Sequence, residues 1–145
     1  VIEMLQRNDV DPKKFYMSHI EWTEGQEENW GVPVRAAAAG IYLSIDNFGR
    51  DFPYGCADNT FDDFGYIGCQ TDVDRVKLIK RLVEAGYEDQ IVAGHDGAYK
   101  TQKLAYGGPG LGHILNNVPI LFKHLGIDQR IFDKMVVDNP QKLFS

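Results

Sequence analysis

A short apolar run that ends in Gly-His-Asp constrains this chain more than any other stretch. The run Ile91-Val-Ala93 follows the charged pair Glu88-Asp89 and precedes Gly94-His-Asp96. A continuous apolar run of this length is typical of a strand buried on both faces, as in parallel sheets. In barrels and doubly wound sheets of parallel strands, functional side chains lie at the carboxyl ends of the strands. The stretch therefore predicts a buried strand over 90–96 and makes Asp96 a candidate site residue.

Two more strands are predicted upstream, and each also ends on a polar residue. Phe15–His19 closes on a histidine, and Ile41–Ile45 is followed by Asp46. Apolar residues at helical spacing predict helices between and after the strands. The chain thus alternates strands and helices, which predicts a parallel sheet with right-handed crossovers. The predicted helices lie near residues 2–7, within 24–40, and over 71–86, 113–126 and 128–139.

Local signals set the expected helix ends. Thr71 and Asp74 resemble a capping box, and Gly86 suits the position just past a helix C-terminus. Gly31-Val-Pro33 is expected to interrupt the helix within 24–40, because proline lacks a backbone donor and clashes with the preceding turn. Asn139-Pro140 is expected to break the last helix in the same way.

The alternation favours part of a (β/α)8 barrel over a doubly wound sheet, because a polar residue finishes every predicted strand. Three parallel strands cannot close a barrel. The sequence also opens on Val1 inside a predicted helix that has no capping residue before it. We therefore expect the later part of a longer polypeptide, with residues 1–145 forming a single unit.

Composition excludes several classes of partner. The chain has 145 residues and a net charge of -6, with no cluster of Lys and Arg, so nucleic acid is not an expected partner. Its apolar runs fall short of the roughly 18 residues that a membrane span needs, and no signal peptide is visible. Cys56 and Cys69 could form a disulfide, but a reduced pair in the cytoplasm is the favoured interpretation.

Four segments together resemble a known family. They are the run from Arg75 to Asp96, Gly112–Pro119, Val137–Phe144 and Met17-Ser-His19. These are similar to the seventh helix and eighth strand, the closing helices and the sixth strand of the phosphotriesterase family of the amidohydrolase superfamily. The resemblance covers essentially the whole chain. It implies the C-terminal part of a (β/α)8 barrel, about three strand–helix units plus a terminal helix.

The resemblance also implies metal ligands. His19 is similar to a single-histidine ligand of that family, and Asp96 to the carboxylate that binds metal and accepts the proton of the attacking water. The implied cofactor is a divalent metal, zinc, with two ions in a complete barrel. The family's His-x-His pair, bridging lysine and further histidine have no counterpart here. The isolated chain is therefore not expected to hold a binuclear site.

The loops that follow the strands are expected to shape a substrate site. These loops span 47–70 and 97–112, and Asn47 stands where lactone- and organophosphate-hydrolysing relatives tend to carry Arg or His. Trp22 stands where several relatives carry an acidic residue. For the aromatic residues of the loop 47–70, the alternative to lining a substrate pocket is to hold that loop in place. For the polar and aromatic residues of the loop 97–112, the alternative is to face solvent. The candidate substrate contacts are Asn47, Phe48, Tyr99, Lys100 and Tyr106.

The remaining polar candidates have structural interpretations. His95 should point away from Asp96 by strand alternation, which favours a packed position. His113 is expected to serve helix packing or loop anchoring, and His124 to interact with a helix dipole. Asp46 could either hydrogen-bond the neighbouring loop or support a metal ligand.

The sequence thus predicts a metal-dependent hydrolase in which metal-activated hydroxide attacks an ester, lactone or phosphoester of a small molecule. The alternative is a non-catalytic partial barrel that buries its sheet edges by self-association. The expected partners are a small-molecule substrate and either further copies of the chain or the rest of the barrel.

Overall fold

A parallel sheet flanked by helices forms the centre of the molecule. The computed structural model describes residues 1–23, 30–50 and 70–145. The strands are β1 (Tyr16–Met17), β2 (Tyr42–Ile45) and β3 (Ile91–Ala93), and they pair in parallel in the order β1-β2-β3. The helices are α1 (Ile2–Arg7), α2 (Gly31–Ala38), α3 (Asp72–Glu84), α4 (His113–His124), α5 (Gln129–Asp133) and α6 (Asn139–Phe144). All three predicted strands are therefore present in shorter form.

The register of the sheet brings the strand ends together. Met17 pairs with Leu43, and Ile45 pairs with Ala93. Every residue of β2 is buried, because helices cover the faces of this central strand. The residues that follow the three strands therefore meet at one edge of the sheet, as the pattern of polar strand ends predicted.

The hydrophobic core lies between the sheet and the long helices. Leu43 and Ile45 of β2 are fully buried, and so are Leu78 and Ile79 of α3 and Phe122 of α4. These residues belong to one continuous apolar cluster. Within the ranges given above, no helix is both long and apolar enough to cross a lipid bilayer.

The predicted start and stop signals of α3 are confirmed. The Thr71 hydroxyl accepts from the backbone N–H of Asp74, and the Asp74 carboxylate accepts from the backbone N–H of Thr71 at 3.0 Å. Gly86 follows the helix with a φ of +86°, a conformation that glycine adopts without steric cost. Asp128 also caps α5, accepting from the backbone N–H of Arg130 at 2.9 Å.

The predicted break at Asn139-Pro140 is wrong, and Gly31-Val-Pro33 forms the first turn of α2, while the stretch before Trp30 lies outside the described residues. Pro33 lies in the first turn of α2, where backbone N–H groups have no acceptor within the helix, so Gly31-Val-Pro33 begins the helix. Pro140 lies in the first turn of α6, which continues from α5 through a π-type turn at Lys134–Asp138. Residues 24–29 lie outside the described residues. So do Phe52 and Tyr54, two aromatic residues of the loop 47–70 that were expected to line a pocket or pin that loop, and the cysteines Cys56 and Cys69.

Candidate metal centre

His19 lies just beyond β1 with an unusual backbone conformation. Its φ is +55°, in the left-handed region that few residues other than glycine adopt. The backbone N–H of His19 donates to Asp46 Oδ1 at 3.0 Å, and the ring nitrogen Nδ1 lies 2.6 Å from the same oxygen. The Trp22 ring stacks on the imidazole with centroids 4.4 Å apart. The carboxylate and the indole together fix both the position and the plane of the ring.

The contact with Asp46 also fixes where the proton of His19 lies. Two groups meet Nδ1: the Asp46 carboxylate oxygen at 2.6 Å, which accepts from a protonated Nδ1, and the Asn47 amide nitrogen at 3.1 Å, which would donate to an unprotonated one. The shorter contact favours the tautomer with the proton on Nδ1. In the neutral ring, Nε2 then keeps its lone pair. Metal-binding histidines are commonly oriented by a carboxylate in this way. Of the two interpretations of Asp46, the geometry favours support of a metal ligand.

Glu21 is a buried acid beside this pair. Its side chain has no solvent exposure, and burial raises its pKa above 4.5, against the hydrogen bond from Asn47 and the nearby Arg75 guanidinium, which lower it. Arg75 Nε lies 4.0 Å from Glu21 Oε1. One ligand atom each from His19, Glu21 and Asp46 lie within 4.8 Å of one another. The edge of the sheet thus gathers an imidazole and two carboxylates.

Asn47 connects Glu21 to the turn that follows β2. Its backbone N–H and its amide nitrogen both donate to Glu21 Oε1, at 2.9 and 2.8 Å. Its amide oxygen accepts from Arg50 Nη1 at 2.5 Å. Asn47 is only 2% exposed, so in the described residues its polar atoms serve the protein interior.

Asp96 lies beyond β3 and pairs with an arginine. Its φ is +39°, again in the left-handed region. Arg50 Nη1 donates to Asp96 Oδ2 at 2.5 Å, and the Asp96 side chain is 39% exposed. Asp96 is therefore linked to the group around His19 through Arg50 and Asn47. No hydrogen bond to Asp96 Oδ1 occurs among the residues that the structure describes.

The other predicted substrate contacts divide into buried and exposed residues. Phe48 is fully buried in the main core cluster, which favours the interpretation that it pins the loop. Tyr99 and Tyr106 are exposed, as is Lys100. Tyr99 presents its ring to the Arg50 guanidinium, 5.3 Å from the ring centroid. Of Tyr99, Lys100 and Tyr106, only Tyr99 has a contact with Arg50, the partner of Asp96, among the residues that the structure describes.

The histidines interpreted as structural anchor the loops. His95 places its ring nitrogens 3.1 Å from the carbonyl oxygen of Phe48 and 2.9 Å from that of Leu111. His113 Nε2 lies 2.5 Å from Asp72 Oδ2. His95 therefore bridges the loops after β2 and β3, while His113 ties α4 to the start of α3.

Two residues at this edge were not predicted from the sequence. Glu21 follows the predicted strand at a position that reads as an ordinary polar loop residue. Arg50 begins a loop rich in Gly, Asp and aromatic residues. A signal for Glu21 was available, because it lies two residues beyond a predicted ligand. No local pattern marks Arg50, whose contacts join residues 46 positions apart in the chain.

The residues at this edge suit a divalent metal by their chemistry. Imidazole nitrogen and carboxylate oxygen are the ligand types that zinc takes in catalytic sites. His19 offers Nε2, because Nδ1 is occupied by Asp46. Asp96 offers Oδ1, because Oδ2 is occupied by Arg50. The donors that the structure brings together are those of His19, Glu21 and Asp46, and this set fits a divalent metal at the ends of β1 and β2.

Comparison with known proteins agrees with the family resemblance. The model of the phosphotriesterase family matches residues 1–144. The N-acetyltaurine hydrolase of Xenopus tropicalis is 34% identical over 142 residues, which are 98% of this chain and 38% of that protein. The chain thus spans well under half the length of that curated relative.

Solved structures share the fold. A resiniferatoxin-binding protein from Rhodobacter sphaeroides superposes with a TM-score of 0.84 at 21% identity, covering 99% of this chain and 37% of the other. A lactonase from Listeria monocytogenes superposes with a TM-score of 0.69 at 27% identity, covering 99% of this chain and 40% of the other. The predicted partial (β/α)8 barrel is confirmed, and the chain belongs to the phosphotriesterase family.

Proposed function

We propose that this chain contributes metal ligands and a general base to a metal-dependent hydrolase. The supporting observation is the His19–Asp46 pair, which leaves His19 Nε2 available at the same sheet edge as Asp96. His19 and Asp96 would hold a divalent metal, which we propose to be zinc. When bound, that ion would polarise the scissile group and lower the pKa of water enough for reaction near neutral pH.

Asp96 is the proposed proton acceptor. Arg50 donates to Oδ2 at 2.5 Å, which restricts rotation of the carboxylate. With Oδ1 directed to the metal, Oδ2 keeps a second lone pair that can take a proton from the attacking water. The hydroxide forms a bond to the electrophilic carbon or phosphorus, and the bond to the leaving group breaks. The proton on Oδ2 then passes to the leaving group. A carboxylate can serve as base and acid in turn because the same oxygen accepts and returns the proton.

The proposed substrates are small molecules with an activated acyl or phosphoryl group. Esters, lactones and phosphoesters follow from the family. The curated relatives named N-acetyltaurine hydrolase add amides to this set, because their name describes cleavage of an N-acetyl bond. Trp22 and Tyr99 border the proposed site and offer aromatic surface to such a substrate.

Asp96→Asn in the metal-loaded protein tests this proposal. The amide keeps the shape of the carboxylate but cannot accept the proton, so kcat should fall by roughly 10²- to 10⁴-fold. Hydrolysis of 4-nitrophenyl acetate, a γ-lactone and N-acetyltaurine would be measured, with circular dichroism to check the fold. Asp133→Asn on the exposed side of α5 is the matched control and should leave kcat unchanged.

A near-normal kcat in Asp96→Asn would contradict the assignment of the base. Metal content per chain is the companion measurement. Protein that holds no divalent ion and instead forms a concentration-dependent dimer would favour the self-associating partial barrel.

A further inference from the structure

The turn after β2 fixes the backbone of Arg50. The backbone N–H of Arg50 donates to the Asn47 carbonyl at 3.1 Å, which closes a β-turn. Gly49 is the third residue of this turn with a φ of +80°, as a type II turn requires. A Cβ at Gly49 would lie 2.8 Å from Pro109 Cγ, so the turn is also packed against the loop after β3.

The buried carboxylate of Asp72 binds the backbone of the same turn. The backbone N–H of Gly49 lies 3.0 Å from Asp72 Oδ1 and 3.2 Å from Oδ2. Asp72 also accepts from Arg75 Nη1 at 2.7 Å and contacts His113. These groups tie the turn to both α3 and α4. The position from which the Arg50 side chain departs is therefore determined by the fold.

The Arg50 guanidinium uses one nitrogen for all of its described hydrogen bonds. Nη1 donates to Asn47 Oδ1 and to Asp96 Oδ2, each at 2.5 Å. The guanidinium carries five N–H donors, of which Nη1 supplies two. Nε and Nη2 make no hydrogen bond to the residues that the structure describes. The remaining donors lie on the edge that binds oxyanions through two parallel hydrogen bonds.

This arrangement differs from an ion pair that only neutralises Asp96. A neutralising pair gains most when both carboxylate oxygens meet two guanidinium nitrogens. Here Asp96 takes a single nitrogen. The guanidinium also faces the half-exposed ring of Tyr99, and 20% of the Arg50 side chain is open to solvent. The Arg50 side chain is thus largely buried but still reaches solvent.

We propose that Arg50 binds a negatively charged oxyacid group of the substrate, such as a carboxylate or a sulfonate, while Asp96 acts on the scissile bond. The inference rests on the proposed hydrolase function and names the class of its substrates: small anionic esters, lactones or amides. Asn47 sets the orientation of the guanidinium through its amide oxygen, which is itself positioned by Glu21.

Binding of ethanesulfonate to the metal-loaded protein tests the inference without turnover. Calorimetric titration would compare wild type, Arg50→Met and Arg7→Met, with ethyl methyl sulfone as the neutral analogue of the probe. Arg7 is an exposed arginine on α1, so its variant is the control for loss of one positive charge. Arg50→Met should weaken ethanesulfonate binding by about tenfold or more, because charge-assisted hydrogen bonds are lost. Arg7→Met should weaken it less than about twofold.

A second measurement uses the wild-type protein in case Arg50→Met loses its metal. With ¹⁵N-arginine labelling, the Arg50 Nε–H resonance, assigned by its loss in Arg50→Lys, should shift on titration with ethanesulfonate and not with the sulfone. Equal affinities in Arg50→Met and Arg7→Met, or an unshifted Arg50 resonance, would overturn the inference.

The two proposals fail in distinguishable ways. If the protein binds ethanesulfonate through Arg50 but hydrolyses nothing, the hydrolase proposal fails and the anion site stands. If it hydrolyses neutral and anionic 4-nitrophenyl esters equally well in wild type and Arg50→Met, the anion site fails and the hydrolase proposal stands.

Discussion

His19 depends on Asp46 for its orientation. The carboxylate receives both the backbone N–H and Nδ1 of the same histidine, so it controls the backbone and the ring together. The chemistry of the edge therefore depends on a residue that need not contact a substrate at all.

Replacement of Asp46 should reveal this dependence. Asp46→Asn removes the negative charge that fixes the proton on Nδ1 and makes Nε2 a better ligand. Zinc affinity, measured by competition with a chelator, should fall by about 10- to 100-fold. Asp9→Asn, at an exposed turn with a φ of +53°, is a control with the same change of charge. Equal zinc affinity in both variants would show that Asp46 is only a structural hydrogen-bond partner.

The site residues directly after the predicted strands could be identified from the sequence, whereas those in the turns that follow were missed. His19 and Asp96 could be singled out because each follows an apolar run that predicts a strand. Glu21 was missed although it lies two residues beyond a predicted ligand. Arg50 could not be found, because its role comes from contacts with Asn47 and Asp96 across the sheet edge. Periodicity reports which face of an element is buried, but not which loop residues meet.

At the scale of the element, the start of α3 is determined by hydrogen bonds between residues that are close in the sequence. Its start depends on the reciprocal bonds between Thr71 and Asp74. Burial tends to raise the pKa of the Asp74 carboxyl, but hydrogen bonds from Thr71 and Lys77 outweigh it and lower that pKa below 3.8. Because the pKa is lower in the folded state, the carboxylate stabilises the fold above pH 3.8 and loses this effect as the pH falls through the folded-state pKa.

This sign gives a pH-dependent prediction. Asp74→Asn should reduce the free energy of unfolding by about 0.5 kcal/mol at neutral pH, since the side chain is partly exposed. Thermal unfolding across about pH 3 to 7 should show the difference in Tm shrinking below the ordinary pKa of the carboxyl. Asp133→Asn should show no such convergence. A constant difference in Tm at every pH would mean that the charge of Asp74 does not contribute.

A helix end could be predicted from the sequence where a single capping residue determines it. It could not be predicted where the effect of a residue depends on where the surrounding helix begins. Thr71, Gly86 and Asp128 act through their own side chain or backbone, so their roles could be predicted. Pro33 and Pro140 were predicted as breaks because proline usually is one inside a helix. Each lies in a first turn, and only the structure shows where those turns begin.

At the scale of the whole molecule, the end of the chain is fastened to the sheet by Asn139. Its buried amide nitrogen donates to the carbonyl oxygens of Glu88 and Ile91, each at 2.8 Å. Lys134 adds an ion pair with Glu88 at 2.8 Å. The last helices are therefore joined to β3, whose far end carries Asp96. Three parallel strands with their helices form this unit, which is the part of the barrel that the alternating pattern could predict.

Loss of the Asn139 amide should loosen that junction. Asn139→Leu keeps the size of the side chain but removes the donor from the buried carbonyl oxygen of Ile91 and from the partly buried one of Glu88. The free energy of unfolding, from urea titration, should fall by about 2 kcal/mol or more. Asn116→Leu on an exposed turn of α4 should change it by less than about 0.5 kcal/mol. An equal change in the two variants would show that the terminal helices are held by apolar contacts alone.

The left-handed backbone at His19 and Asp96 has an evolutionary consequence. Among the described residues, only three that are not glycine have a positive φ, and two of them are the predicted metal ligands. Such conformations cost of the order of 1 kcal/mol each for a residue with a Cβ. Selection for stability alone would favour glycine at both positions. A lineage that abandoned the chemistry would therefore be expected to become more stable as it lost these two side chains.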